Sequence, residues 1–316
     1  MIPNEKNFCG GAYRDWLEVY LTGACNGNCS WCVDKQGFKP KYQASVHDMV
    51  LAILDTGTKN VILLGGEPTL YHDIKYIIDI VNAHGVKVYL TTNGSRLTPG
   101  FVVSELRNLT GINISIHSYS LMENYRQTRV EINYEDLGKS VEELHRKGVK
   151  VRFNCNCIKG FIDSRERILE YIKFAKWAGA DSVRFAELKN DRDEFVNLSE
   201  LLDINIDNPF TQGCNHNIVI SDMPVNIRLM CGFQTPNRPK PKNPPTVENK
   251  QILYYNGQIY NGWQEKGDKM EDQIKEILNK VATGELTQVE GLALIKELGV
   301  LDEEIPVPSS SGYCAY

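Results

Sequence analysis

The chain has 316 residues, 42% hydrophobic and 24% charged, enough for one large domain or a domain with an appendage. A net charge of −5 argues against a general nucleic-acid-binding surface, no apolar run is long enough for a membrane helix, and the N-terminal MIPNEKNFCGGAYRDW lacks the apolar core of a secretory signal. Nine cysteines, an odd number in a long chain, disfavour a secreted disulfide framework, so the protein is expected in the cytoplasm with buried, reactive or metal-bound cysteines.

Six β-branched or apolar runs read as strands: WLEVYLT (16–22), NVILLG (60–65), VKVYLTT (86–92), INISIHS (112–118), VKVRFNCN (149–156) and SVRFAEL (182–188). Helical periodicity fills the gaps between them. Ile74, Ile77, Ile78 and Val81 form one stripe that stops at Gly85, and the later helices stop at Gly148 and Gly179, suited to left-handed C-caps. Six βα units in series imply parallel strands with right-handed crossovers. Six is short of a closed eight-stranded barrel, so the expectation is an α/β fold, an open partial (β/α)6 barrel working at the C-terminal ends of its strands.

The pattern breaks after about Asn190. TPNRPKPKNPPTVENK reads as an extended loop, and ILYYNGQIYNGW as a hairpin turning at Asn256-Gly257. Two helices follow, the second opening with the capping-box pattern Thr287-x-x-Glu290. The expected division is a barrel at 14–190, a loop and hairpin region over the active site at 191–266, and a two-helix appendage with a tail at 267–316. The tail SSSGYCAY reads as disordered, with a lid or a substrate mimic as alternatives.

Cys25, Cys29 and Cys32 follow the first strand with C-x3-C-x2-C spacing. Structural zinc wants four ligands, and no nearby Cys or His supplies the fourth. Three thiolates can instead hold an iron–sulfur cubane and leave one iron open. Glycine and asparagine between the cysteines let the backbone wrap closely around it.

This spacing, with the aromatic Trp31 before the last cysteine, resembles the signature of the radical S-adenosylmethionine (radical SAM) superfamily. Gly65-Gly66-Glu67-Pro68, directly after the second strand, resembles the family's GGEP motif. The resemblance implies one 4Fe–4S cluster on Cys25, Cys29 and Cys32, with S-adenosylmethionine chelating the fourth iron. It implies an external one-electron reductant, a flavodoxin or ferredoxin, whose electron splits S-adenosylmethionine into methionine and a 5′-deoxyadenosyl radical that abstracts hydrogen. Trp31, Gly65, Gly66, Glu67, Pro68, Thr92, Asn93, Ser115 and Asn154 are the cofactor-binding candidates. Where the family often has an acid two residues past Ser115, this chain has His117, a substrate ligand, a proton carrier or a structural histidine. Glu187 is either near the substrate or in a structural ion pair, and Cys231 is either structural or a hydrogen-atom donor. Alternation along strand five puts Asn154 and Asn156 on one face and Cys155 and Cys157 on the other, where they pack as core. Cys214 and Cys231 are too few for an auxiliary cluster unless Cys9 or Cys314 joins them.

The strand-five and strand-six pattern is similar to the molybdenum-cofactor GTP cyclase branch and to many peptide-modifying members. A peptide or protein substrate is the first expectation, from the open barrel and its hairpin. A nucleotide or other small molecule is the alternative, and a non-catalytic iron–sulfur redox sensor is the third.

Overall fold

The computed structural model describes residues 15–35, 37–188, 193–204, 215–229, 251–262 and 269–297. The expectations for Cys9, Cys214, Cys231, Cys314, the proline-rich loop and the tail lie outside the described residues. Two compact units divide the chain: residues 1–35 with 40–262, and residues 36–39 with 263–316.

The first unit is built on one sheet. Its strands are β1 (Trp16–Tyr20), β2 (Asn60–Leu64), β3 (Lys87–Thr92), β4 (Gly111–Ser115), β5 (Lys150–Cys157), β6 (Ser182–Glu187), β7 (Asn215–Ile220), β8 (Met223–Arg228), β9 (Gln251–Tyr254) and β10 (Ile259–Asn261). They run in the order β10-β9-β1-β2-β3-β4-β5-β6-β8-β7. The six expected strands lie side by side in sequence order, all parallel. The expected hairpin β9–β10 joins the β1 edge, with β9 parallel to β1. A second hairpin, β7–β8, extends the sheet past β6 and is absent from the sequence expectation. Its turn residues Ser221 and Asp222 have φ of 47° and 60°, the left-handed pair that a tight two-residue hairpin turn requires.

The helices are α1 (Val46–Asp55), α2 (Ile74–Ala83), α3 (Pro99–Glu105), α4 (Leu121–Thr128), α5 (Tyr134–Arg146), α6 (Arg165–Trp177) and α7 (Leu198–Leu201) in the first unit. Helices α2, α5 and α6 end at Gly85, Gly148 and Gly179, with φ of 80°, 74° and 83°. In each case the residue after the glycine donates its N–H back to the last turn: Val86 to Val81, Val149 to Leu144 and Ala180 to Ala175. Alternation along the strands decides which side chains meet the helices. Val61, Leu63, Val88, Leu90, Ile112, Ile114, Val151, Phe153, Val183 and Phe185 join α1, α2, α5 and α6 in one core. Each such burial is worth about 1.5–3 kcal/mol. Cys155 and Cys157 lie in this core, as the alternation predicts. The opposite, inner face carries the polar side chains that build the site.

The second unit contains α8 (Lys269–Ala282) and α9 (Gln288–Glu297). The Thr287–Glu290 capping box forms at the start of α9: Thr287 N–H donates to Glu290 Oε2 at 2.8 Å, and Glu290 N–H to Thr287 Oγ1 at 3.2 Å. Among the described residues, no helix is long and apolar enough to cross a membrane.

Candidate active site

The loop that leaves β1 carries Cys25, Cys29 and Cys32 at the C-terminal end of the parallel strands. Its backbone is pinned from both sides. Asn28 N–H donates to Thr128 O at the end of α4 at 2.7 Å, and Cys29 Sγ points at the same carbonyl at 4.0 Å. On the other side, Gly66 N–H donates to Thr22 O at 2.7 Å and Glu67 N–H to Ala24 O at 2.8 Å. A Cβ on Gly66 would lie 2.3 Å from Ala24 O. The glycine pair therefore first serves backbone-to-backbone contact between the β2 turn and the cysteine loop.

Glu67 ties these turns together. It is buried, and its Oε1 accepts from Thr69 N–H at 3.0 Å and from the hydroxyls of Thr69 and Thr92 at 2.6 Å each. Its Oε2 accepts from Asn93 N–H at 2.7 Å. The short helical turn at Pro68–Leu70 starts on this carboxylate. Asn93 Nδ2 donates to Asn26 Oδ1 at 2.8 Å, and Asn26 Nδ2 donates to Ser95 Oγ at 2.9 Å. Asn26, absent from the sequence candidates, thus links the cysteine loop to the β3 turn. Its place between two cysteines was the available signal.

The three thiols are electrostatically coupled. Burial pushes the Cys29 thiol up to about 11, with Cys32 and Cys25 adding to the effect. Burial also raises Cys25; the Gly27 N–H opposes this, and Glu67 and Cys32 reinforce it. Cys25 and Cys29 therefore lose their protons readily only to a cationic partner. Among the described residues, no three His, Cys, Asp or Glu side chains converge on a single ion. Three thiols spread around one loop suit a polynuclear iron–sulfur centre, in which each sulfur takes a different iron.

The inner face of the sheet continues the site. Ser115, Asn154, Arg184, Asn226 and Asn217 stand in register on five adjacent strands, an uninterrupted polar row. Arg184 Nε donates to Asn226 Oδ1 at 2.8 Å, and Asn226 Nδ2 to Asn217 Oδ1 at 2.9 Å. Asn154 Oδ1 and the deeper Asn113 Oδ1 are buried without a partner. Unpaired acceptors on an interior face fit a polar ligand that brings its own donors. The residues present therefore fit, in their chemistry, an iron–sulfur centre and S-adenosylmethionine, whose amino and hydroxyl groups are such donors.

His117 lies just past β4 on this face. Asn156 N–H donates to its Nδ1 at 3.0 Å, and the ring of Trp31 stands edge-on at 5.1 Å. Burial lowers its pKa to about 4, so the ring is neutral. Trp31 packs with Ile158, Leu188 and Phe161 beside Cys29, an apolar wall next to the cysteine loop. Glu187 is placed differently. It lies on the helix-facing side of β6, where its Oε1 accepts from Leu198 N–H at 2.8 Å and holds the start of α7. The structure thus gathers Cys25, Cys29, Cys32, Trp31, Glu67, Asn93, Ser115, His117 and Asn154 toward one end of the sheet. Thr92 is committed to Glu67, and Glu187 stands apart.

Residues 19–175 match the family model described as Radical SAM superfamily. The chain is 31% identical over 180 residues to the GTP 3',8-cyclase of Aquifex aeolicus (strain VF5), covering 54% of this chain and 55% of that protein. It is 30% identical over 208 residues to the molybdenum cofactor biosynthesis protein moc-5 of Caenorhabditis elegans, covering 61% of this chain and 34% of that one. The chain spans about half the length of the GTP cyclases it matches. Among solved structures, Streptococcus suis SuiB bound to S-adenosylmethionine superposes with a TM-score of 0.55 at 19% identity, over 82% of this chain and 65% of that one. The same protein bound to the precursor peptide SuiA gives 0.56 at 19%, over 81% and 63%. Residues 19–175 of the chain are thus a radical SAM domain.

Proposed function

We propose that the protein is a cytoplasmic radical SAM enzyme whose substrate is a nucleotide or a related small molecule. The observation that carries the substrate reading is the 31% identity of the barrel to a protein named GTP 3',8-cyclase. The neighbours solved with a bound peptide share only the fold, at 19% identity or less. A nucleotide also suits the polar inner row, which carries a guanidinium at Arg184.

In this reading Cys25, Cys29 and Cys32 bind three irons of one 4Fe–4S cluster. With S-adenosylmethionine bound, the cluster supplies one-electron cleavage and hydrogen-atom abstraction, and the protein's part is to bind, orient and shield. Glu67 Oε2 takes one donor in the fold and keeps an acceptor direction for the ammonium of S-adenosylmethionine. Ser115 and Asn154 receive its other polar groups, with the orphaned Asn154 Oδ1 as an acceptor. Trp31, Ile158 and Leu188 exclude water beside the cysteine loop. Glu187, committed to α7, supports the fold of the site. Barrel residues 14–190 carry the cofactors, and region 191–266 contributes the substrate side through Asn226. The electron comes from a flavodoxin or ferredoxin.

The test is anaerobic incubation of the reconstituted full chain with S-adenosylmethionine and dithionite. Release of 5′-deoxyadenosine is expected, and it is expected to rise when GTP or another nucleoside triphosphate is added. Release that responds to peptides alone would overturn the substrate reading.

A further inference from the structure

We propose that His117 is a fixed, uncharged hydrogen-bond donor inside the barrel that holds an acceptor atom of the bound small molecule and takes no part in proton transfer. This deepens the functional reading above and rests on it. Four constraints hold the residue. Its backbone N–H donates to Asn124 Oδ1 at 2.8 Å, and its carbonyl accepts from Gln127 Nε2 at 3.3 Å, so the buried face of α4 clamps the backbone on both sides of its Cα. On the ring, the Asn156 N–H occupies Nδ1 at 3.0 Å. The Trp31 ring blocks sideways movement at an interplanar angle of 78°.

A backbone N–H can only donate, so Nδ1 is the unprotonated nitrogen and the proton sits on Nε2. Among the described residues nothing accepts from Nε2, and that nitrogen is not among the sealed, unpartnered atoms of the interior, so it keeps contact with solvent although the residue is only 7% exposed. Four contacts fix the ring and leave this one donor reachable, the expected arrangement where a ligand acceptor takes the place of solvent. Ser115, two residues earlier on β4, and Asn156, on the neighbouring β5, flank His117 on the inner face, at the strand ends where the cysteine loop also lies. The matching ligand atom is a hydroxyl oxygen, a carbonyl oxygen or an unprotonated ring nitrogen. A carboxylate at this position would take a hydrogen bond; His117 gives one. The acceptor belongs either to S-adenosylmethionine or to the substrate, and both carry such atoms.

The first measurement uses the full chain labelled with 15N-histidine, before any cluster is built. The His117 signals, identified by their absence in His117→Gln, are expected to show a proton on Nε2 only and to stay unchanged from about pH 5 to about pH 8. A proton on Nδ1, or a titration in that range, overturns the inference. The reconstituted protein and its variants are then titrated separately with S-adenosylmethionine and with GTP. His117→Ala is expected to weaken one of the two by about tenfold. His117→Gln keeps an amide donor at similar reach and is expected to restore most of that loss. Whichever ligand weakens is the source of the acceptor. Unchanged affinity for both overturns the inference even when the wild type releases 5′-deoxyadenosine. Absence of that release in the wild type would instead overturn the functional reading and leave the tautomer result standing.

Discussion

Four donors converge on Glu67, from Thr69, Thr92 and Asn93, before any ligand is considered. An amide at this position can accept on one oxygen only, and its nitrogen would face the Asn93 N–H. Glu67→Gln is therefore expected to destabilise the fold by about 1–3 kcal/mol in urea unfolding, in addition to any loss of cofactor binding. An unchanged unfolding midpoint would show that the carboxylate is not the clamp between these turns. The cysteines divide just as clearly. Cys25, Cys29 and Cys32 stand on an open loop, while Cys155 and Cys157 are sealed in the core. Cys155→Ala and Cys157→Ala are expected to retain iron after reconstitution and to lose stability by packing alone. Iron loss in either would contradict the assignment. The motif residues were legible because they are consecutive in sequence. Asn26, Asn113, Asn124 and Gln127 were not, because each acts on a partner that only the fold brings near.

At the scale of elements, the alternation in β5 and β6 shows how far pattern reading reaches. It separates Asn154 and Asn156 from Cys155 and Cys157 correctly. It leaves Glu187 undecided, and only the structure shows the carboxylate on the helix side, capping α7. The β7–β8 hairpin went unread although NHNIVISDMPVNIR alternates apolar and polar residues; its turn, Ser-Asp, lacks the glycine that usually marks such turns. Further along the sheet, Asp181 joins α5 to β5, accepting from Val151 N–H at 2.8 Å and pairing with His145 and Lys150. Burial opposes its ionisation, but the Val151 N–H, the His145 ring and Lys150 outweigh burial and hold the carboxyl below its usual range. A carboxyl depressed by folding adds stability above its unfolded pKa and loses it as pH falls through the folded value. Asp181→Asn is expected to cost about 1–2 kcal/mol at neutral pH, with the gap to wild type closing below about pH 4. Denaturant midpoints of both proteins across that range provide the check, and a gap that persists in acid would contradict the linkage.

Across the whole molecule, the described residues of the main core run from Leu17 to Leu253, all within the first unit. A chain ended after Gly262 is accordingly expected to unfold cooperatively, with its midpoint close to that of the full chain; loss of cooperativity would mean that the second unit is needed to complete the first. The barrel and its catalytic end were readable from six strands and two motifs, since both depend on local periodicity and spacing. The pairing of Arg184 with Asn226 was not, since these side chains meet only across the sheet. The central claim is that three thiolates on one loop leave an iron free for S-adenosylmethionine. Its most direct measurement pairs iron content with 5′-deoxyadenosine release, in the anaerobically reconstituted wild type and in the triple variant Cys25→Ala, Cys29→Ala, Cys32→Ala. The account predicts about four irons and reductive cleavage in the wild type, and neither in the variant. A centre that persists in the variant, or a wild-type cluster that leaves S-adenosylmethionine intact, would contradict it.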